Sequence, residues 1–564
     1  MQQDMSRLAL LYHQAFDCHR RGDLAGAERL CEQMLAAKSD YFEALNMLGA
    51  LRLRQGRHEE ALALIEGALK IDRRCVPVIS NYADILNALG RWEDALQNYD
   101  RLLVLAPGDA HALNQRGIAL RRLGRPADAV RSFDRALLAQ PDFPAALSNR
   151  GAALHDLERF EEAMANYDAA LKLDPRNAGT WNNRGLALLK LARLAEALDS
   201  FNAGLALQPR HAELLTNRGV ALREMDRQDE ALASLDQAIV ADPAYANAHW
   251  NKGVTKLLQG DFAHGLPLHE WRKRLNPPVE ARNYPQPLWT GTENIRGKTL
   301  FLYVEQGLGD TIQFYRFVAP LLARGAQVIL SVQDGLLRLL EKASPTVELV
   351  GSKTVPAAFD YHIPLMSLPL ALGTTIDTIP AHGPYMNAEP ERVAHWAARI
   401  GKPGFKIGIS WQGARTGVTS RAMPLASFET LSRLAGVRLV SLQKGFGAEQ
   451  LTALPWVESW GEEDFDHGPD AFLDSAAVMA NLDLVITLDS ALAHLAGALG
   501  RPVWVALKRV PDWRWFLGRS DSPWYPSMTL FRQETDGDWA SVFAQINVFA
   551  QTRVFARMQA QVPQ

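Results

Sequence analysis

Apolar and polar positions follow two different periods along the chain. In the first half, apolar residues recur at helical spacing, and small residues return every 34 positions. Ala27, Ala61, Ala95, Ala129, Ala163, Ala197 and Ala231 form one series. Gly49, Gly117, Gly151, Gly185, Gly219 and Gly253 form another, with Ala83 filling its gap, and Pro107, Pro141, Pro175, Pro209 and Pro243 keep the same step. This pattern predicts helix pairs that approach closely at the small residues and end at the prolines. Gly22, Gly56, Gly90 and Gly124 mark the turn inside early pairs. About seven full units run from 8 to 245, and an eighth begins at Ala246 and loses the pattern after Gly260. Residues 276–292 carry four prolines and predict a linker. Beyond it, short apolar runs alternate with helical stretches. Strands are expected at 298–304, 327–332, 347–350 and 361–364, with a helix near 311–324. A second set is expected at 405–411, 437–442, 484–488 and 502–507. Such alternation predicts two α/β units with parallel sheets, whose ligands sit at the C-terminal strand ends.

The 34-residue period resembles the tetratricopeptide repeat, which implies stacked helix pairs in a superhelix whose groove is lined by the first helix of each pair. One position of that helix carries Asn81, Gln115, Asn149, Asn183, Asn217 and Asn251. An amide ladder there can bond an extended peptide backbone whatever its sequence. Nucleocytoplasmic protein O-GlcNAc transferases are similar in this respect. The alternative is that these amides tie adjacent helices together.

Composition narrows the possibilities. The 564 residues are too many for one core. A net charge of −3 argues against general nucleic-acid or membrane-surface binding. No uncharged apolar run of spanning length occurs and the N-terminal segment lacks signal-peptide character, so a cytoplasmic protein is expected. Cys18, Cys31 and Cys75, without close spacing, are expected as reduced, buried thiols.

The candidate chemistry lies in two turns. At 484–500 an apolar strand stops at Asp489-Ser490 and a helix follows to Gly500. The helix N-terminus suits a phosphate, and Ser490 and His494, four apart, share its near face. The first turn, Glu305-Gln306-Gly307-Leu308-Gly309-Asp310, follows the first strand. It has Ile312 where a dinucleotide fingerprint places glycine or alanine, although Asp334 follows the second strand. Asp310 is placed to serve as a base, to cap the helix, or both. Trp411, Gln412 and Gly413 end a strand facing the expected cleft, with core packing the alternative for Trp411. Gln443 and Lys444 are placed to meet ribose or phosphate. The aromatics of 511–515 and 522–526 suit sugar stacking or a seam between lobes. Asp464-Phe465-Asp466 spells D-x-D but is expected as a solvated loop.

Gly309-Asp310, together with Asp489-Ser490-Ala-Leu-Ala-His494 and the following Ala-Gly-Ala-Leu-Gly-Arg-Pro, resembles the family 9, heptosyltransferase-like glycosyltransferases over roughly 297–550. The resemblance implies two Rossmann-like lobes of GT-B type, a nucleotide-sugar donor, inversion at the anomeric centre, and neither metal nor cofactor. It assigns the catalytic base to Asp310 and donor contacts to Asp489, Ser490 and His494. A basic residue before a proline also meets the phosphates; Arg421 is the nearest match and Arg415 the competitor. With no metal, a helix N-terminus, Arg and His supply positive charge to the leaving diphosphate. The resulting domain division is a repeat superhelix at 1–275, a linker at 276–296, an acceptor-side lobe at 297–395, and a donor-side lobe with a C-terminal helix at 396–564. The expected function is metal-independent, inverting transfer of a hexosyl or heptosyl group to a protein or peptide held in the repeat groove. The alternative is a non-catalytic repeat scaffold carrying a glycosyltransferase-like domain.

Overall fold

The computed structural model describes residues 2–276, 282, 284–413, 421–461 and 464–560. The expected linker falls partly outside the described residues. The chain forms two compact units, Met1–Pro209 and Arg210–Gln564.

The first unit consists of six helix pairs, from Gln2–Arg20 with Leu24–Ala37 to Ala178–Lys190 with Leu194–Leu207. The periodic small residues explain their spacing. A Cβ on Gly117, Gly151 or Gly185 would come within 2.5, 2.7 or 2.4 Å of Phe133, Tyr167 or Phe201, sixteen residues on. Each glycine therefore leaves room for a large side chain of the partner helix. The turn between the paired helices needs a left-handed residue. Gly22, Gly56, Gly90 and Gly124 supply it without strain, whereas Glu158 and Ala192 hold the same place at φ of 59° and 58°. First helices of successive pairs touch, as Ala110–Arg122 does Pro144–Asp156, which puts them on one side of the stack.

In this unit two of the amides bond between helices. Asn81 Nδ2 donates to Asn46 Oδ1 at 2.9 Å and Asn149 Nδ2 to Asn114 Oδ1 at 3.0 Å, each reaching the first helix of the preceding pair. Gln115 Oε1 accepts from its neighbour Asn114, and Asn183 is half-buried on the same helix face. Of the cysteines, Cys31 is buried, while Cys18 and Cys75 are only half-buried, contrary to expectation; all three are free thiols.

The second unit starts with two more helix pairs and continues into two parallel sheets. Its last repeat helix, Phe262–His269, is short, holds Pro267, and passes into a 3-10 turn at Glu270–Arg274. The first sheet comprises β1 (Thr299–Tyr303), β2 (Gln327–Val332), β3 (Glu348–Gly351) and β4 (Tyr361–Pro364), ordered β3-β2-β1-β4. The second comprises β5 (Phe405–Ile409), β6 (Val437–Ser441), β7 (Val457–Glu458), β8 (Leu484–Leu488), β9 (Val503–Leu507) and β10 (Met528–Arg532), ordered β10-β9-β8-β5-β6-β7. All pairings are parallel, with Leu300 opposite Val328 and Ile486 opposite Trp504. The continuous apolar runs of β8 and β9 are buried throughout, as a sheet covered on both faces requires. Eight strands lie where the hydrophobic pattern predicts them. β7 has only two residues and β10 follows a proline in an aromatic loop, so neither stands out in sequence.

One apolar core joins the last repeat helices to the sheets: Leu257, Phe262 and Leu266 pack in the same cluster as Trp289, Phe314 and Trp513. Charges reinforce this. Glu224 accepts from Lys508 Nζ at 2.8 Å. Arg272, fully buried, meets Glu305 at 2.6 Å. These contacts make the last two helix pairs part of the α/β body. Among the described residues no helix is long and apolar enough to cross a membrane.

Candidate functional site

The C-terminal ends of β1, β5, β6, β8 and β9 open into one cavity of about 840 Å³, lined from both sheets. It falls in the ~300–1,000 Å³ range of small-molecule sites. Asp310, Gln412, Arg421, Lys444, Asp489, Ser490 and His494 all line it. Arg415 lies outside the described residues.

Asp310 sits in the first turn of the Leu308–Phe314 helix, and its Oδ2 accepts from the Gly307 N–H at 3.0 Å. Its other oxygen accepts from Arg514 Nη2 at 2.6 Å. Burial raises the Asp310 pKa above its ordinary value, and Arg514 opposes the rise only in part. Arg514 is the site residue that sequence reasoning missed. It also holds Asp512 at 2.8 Å and donates from Nε to Gln313 Oε1 at 2.8 Å. Burial acts to raise Asp512, but Arg514 and Arg421 outweigh it and hold that carboxyl down at about 2. A lone charge inside the aromatic run Trp513-Arg514-Trp515 was the available signal.

Across the cavity, Asp489 pairs with Arg421 at 2.8 Å. Ser490 begins the Ala491–Ala498 helix in extended conformation. Its hydroxyl lies 3.2 Å from Thr487 Oγ1 and does not cap the helix. The two turns approach very closely. A Cβ on Gly309 would stand 3.1 Å from both the Ala491 Cα and His494 Cδ2. Gly309→Ala should therefore push the helices apart and lower stability by about 1–3 kcal/mol, measured by denaturant unfolding; an unchanged midpoint would contradict this close approach.

His494 does not supply positive charge, contrary to expectation. It is 5 % exposed, stacked on Trp515 with centroids 5.2 Å apart, and its Nδ1 lies 3.0 Å from Tyr525 Oη. Burial, aided by Arg514 and Arg316, pushes its pKa down to about 3, so it is neutral at pH 7. His269 is held down to about 3 by burial and by Arg272. Unfolding returns both to about 6.5. The unfolded chain then binds the extra protons, so stability is full above about pH 6.5 and falls as pH drops toward 3, by up to ~1.4 kcal/mol per pH unit for each histidine. Chemical denaturation at pH 7.5 and 5.0 tests this, and His494→Gln should flatten the slope. Equal wild-type stability at both pH values would refute it.

Other expectations change. Trp411 is fully buried and donates Nε1 to Gly447 O at 3.1 Å, so its indole packs in the sheet core and does not border the cavity. Gln443 serves as a brace: Oε1 accepts from Ser410 Oγ and from the Trp411 and Gln412 N–H groups, at 3.0–3.1 Å. Lys444 donates to Asp466 O. Asp466 is not solvated. It is buried and accepts from the Asp474 N–H at 2.7 Å and Ser475 Oγ at 2.5 Å, while Asp464 pairs with Arg399. Trp513, Trp515, Trp524 and Tyr525 are buried as well, in a seam with Phe262 and Phe314. Asn251 is buried, accepting from Arg223 and donating to Asn247 O, and Asn217 is half-buried on the preceding first helix.

Comparison with known proteins supports the repeats and a short stretch of the α/β region. Tetratricopeptide repeat profiles match residues 19–81, 75–139, 114–178, 182–246 and 216–264. The glycosyltransferase family 9 (heptosyltransferase) profile matches residues 468–507, which include Asp489 and His494 but not Asp310. Protein FlbA of Caulobacter vibrioides is 31% identical over 287 residues, 46% of this chain and 48% of that protein, so this chain spans about half the length of that relative. Among solved structures, a tetratricopeptide repeat protein from Parabacteroides merdae aligns at 21% identity and TM-score 0.38, covering 44% of this chain and 98% of that one. YrrB, described as a repeat protein with an unusual peptide-binding site, aligns at 26% identity and TM-score 0.28, covering 33% of this chain and 95% of its own. The chain thus joins a region that matches tetratricopeptide repeat profiles to an α/β region in which residues 468–507 match the glycosyltransferase family 9 profile.

Proposed function

We propose that the protein is an inverting glycosyltransferase of GT-B type. In this reading it moves a sugar from a nucleotide-sugar to a protein or peptide presented by the repeats. The observation that carries the reading is the single cavity in which Asp310 faces Asp489, Arg421 and Arg514 from the opposite sheet. Asp310, with its raised pKa, takes the acceptor hydroxyl proton as the sugar leaves the diphosphate. Arg421, Arg514 and the uncapped N-terminus of the Ala491–Ala498 helix offset the charge that develops on the leaving group. In this mechanism no metal is required. Asp489 accepts from donor hydroxyls, since two anions repel, and Gln412 and Lys444 border the nucleotide. The lobe at 297–395 takes the acceptor side and that at 396–564 the donor side.

The repeat amides, Asn183 in the first unit and Asn217 in the second among them, are our candidates for acceptor contact; Asn81 and Asn149 also bond to the preceding helix pair. The test is a panel of UDP-, GDP- and ADP-sugars. One nucleotide should raise the melting temperature, and its sugar should be hydrolysed or transferred. Binding without turnover throughout the panel would favour a scaffold instead.

A further inference from the structure

Behind His494 lies a buried polar network that the reaction as proposed does not use. Tyr525, 1 % exposed, places its hydroxyl 3.0 Å from His494 Nδ1. Arg316, also buried, lies 4.3 Å from the centre of the Tyr525 ring. It donates to Gln313 O, to Trp524 O and to Tyr385 Oη, the last at 3.0 Å. No carboxylate pairs with Arg316 among the described residues.

The proton positions follow from who can accept. Tyr385 Oη gives its proton to Ile312 O at 3.0 Å and lies 3.4 Å from Tyr525 Oη. Around the Tyr525 hydroxyl, Arg316 is only a donor and Tyr385 is already committed. The near acceptor is His494 Nδ1, and the cation over the ring makes the phenol a better donor. A neutral imidazole that accepts at Nδ1 carries its proton on Nε2. His494 lines the cavity, and its Cδ2 edge, next to Nε2, lies against the Gly309 turn.

We infer that Tyr525, backed by Arg316, is a positioning residue that holds His494 as the uncharged Nε2–H form, a fixed hydrogen-bond donor to a diphosphate in the cavity. This rests on the transferase reading for the identity of the ligand, but the tautomer itself does not. A neutral donor has a physical use here. A cationic histidine would add to Arg421 and Arg514 and hold the released diphosphate too tightly, whereas an N–H can follow the charge as it develops.

The experiment is nitrogen-15 NMR of the full chain labelled at histidine, at pH 7.5, with the His494 signals assigned by their loss in His494→Gln. Wild-type Nδ1 should be unprotonated and Nε2 protonated. Tyr525→Phe should mix the tautomers and weaken inorganic pyrophosphate binding, read by calorimetry, about tenfold. Tyr385→Phe, which removes a hydroxyl from the same buried network, should leave the His494 tautomer unchanged. His494→Gln, whose amide reaches the Nε2 position, should keep more affinity than His494→Asn, whose amide reaches only Nδ1. A protonated Nδ1 in the wild type overturns the inference even if Tyr525→Phe fails to fold. Unchanged signals and affinity in a folded Tyr525→Phe protein overturn it too. Failure of pyrophosphate to bind the wild type would count against the donor reading and leave the tautomer to be decided by its own signals.

Discussion

Asp310→Asn is expected to lower sugar transfer by about 10²–10⁴-fold, the usual contribution of a positioned general base, while nucleotide binding persists. The substitution keeps the size of the side chain and an oxygen for the Gly307 N–H, so the Leu308–Phe314 helix stays capped. What it removes is the carboxylate facing the cavity. Arg514 keeps Asp512 and Gln313 as partners, which limits rearrangement. The pH profile supplies a second readout. Because burial raises the Asp310 pKa, the wild-type rate should fall on the acid side from a pH above the ordinary carboxylate range, and this limb should vanish in the variant. Transfer unchanged by Asp310→Asn would remove Asp310 as base.

Arg272→Met is expected to cost about 3–5 kcal/mol, the cost of stranding a buried charge. Both Arg272 and Glu305 side chains are fully buried and 2.6 Å apart, linking the last repeat turn to the end of β1, just before the Gly307–Asp310 turn. Ser367 and Glu270 complete the cluster. Yet Glu305 Oε1 and Arg272 Nε are buried without a hydrogen-bond partner, so the pair is incompletely satisfied. The double variant Arg272→Met with Glu305→Leu should accordingly recover most of the loss. Denaturant unfolding of the singles and the double reads this directly. A mild single variant, or a double worse than the single, would refute it. The same contacts predict that cutting the chain at 275 damages the α/β body, since Phe262 and Leu266 belong to its core.

Local patterns carried much of the architecture because they are periodic. A 34-residue step needs no long-range information: the small residue, the partner sixteen residues on and the turn all lie within one unit. Fully buried parallel strands announce themselves as apolar runs. Where the local signal was thin, as in two-residue β7 or in β10 behind Pro526, the strand stayed hidden. The joining of the last repeat helices to the α/β core was hidden as well. The repeat pattern runs to Gly260, but the core that Phe262 joins is built from residues far along the chain.

The repeat array, the alternation of strands and helices, and the two turns that carry Asp310 and Asp489 are legible in the residue pattern. The family resemblance offered Arg421, with Arg415 as competitor, as the basic residue before a proline. The charge states within the cavity follow from contacts between distant segments. Asp310 and Arg514 are 204 positions apart and meet at 2.6 Å, and no spacing rule encodes such a pair. His494 looked like a cation by its motif and is neutral, because Trp515, Tyr525, Arg316 and Arg514 enclose it. Trp411 and Asp466 looked like site or surface residues and are buried. The reason is the same in each case. Periodicity reports which face of an element is apolar, whereas protonation depends on burial and on charges that other elements bring close.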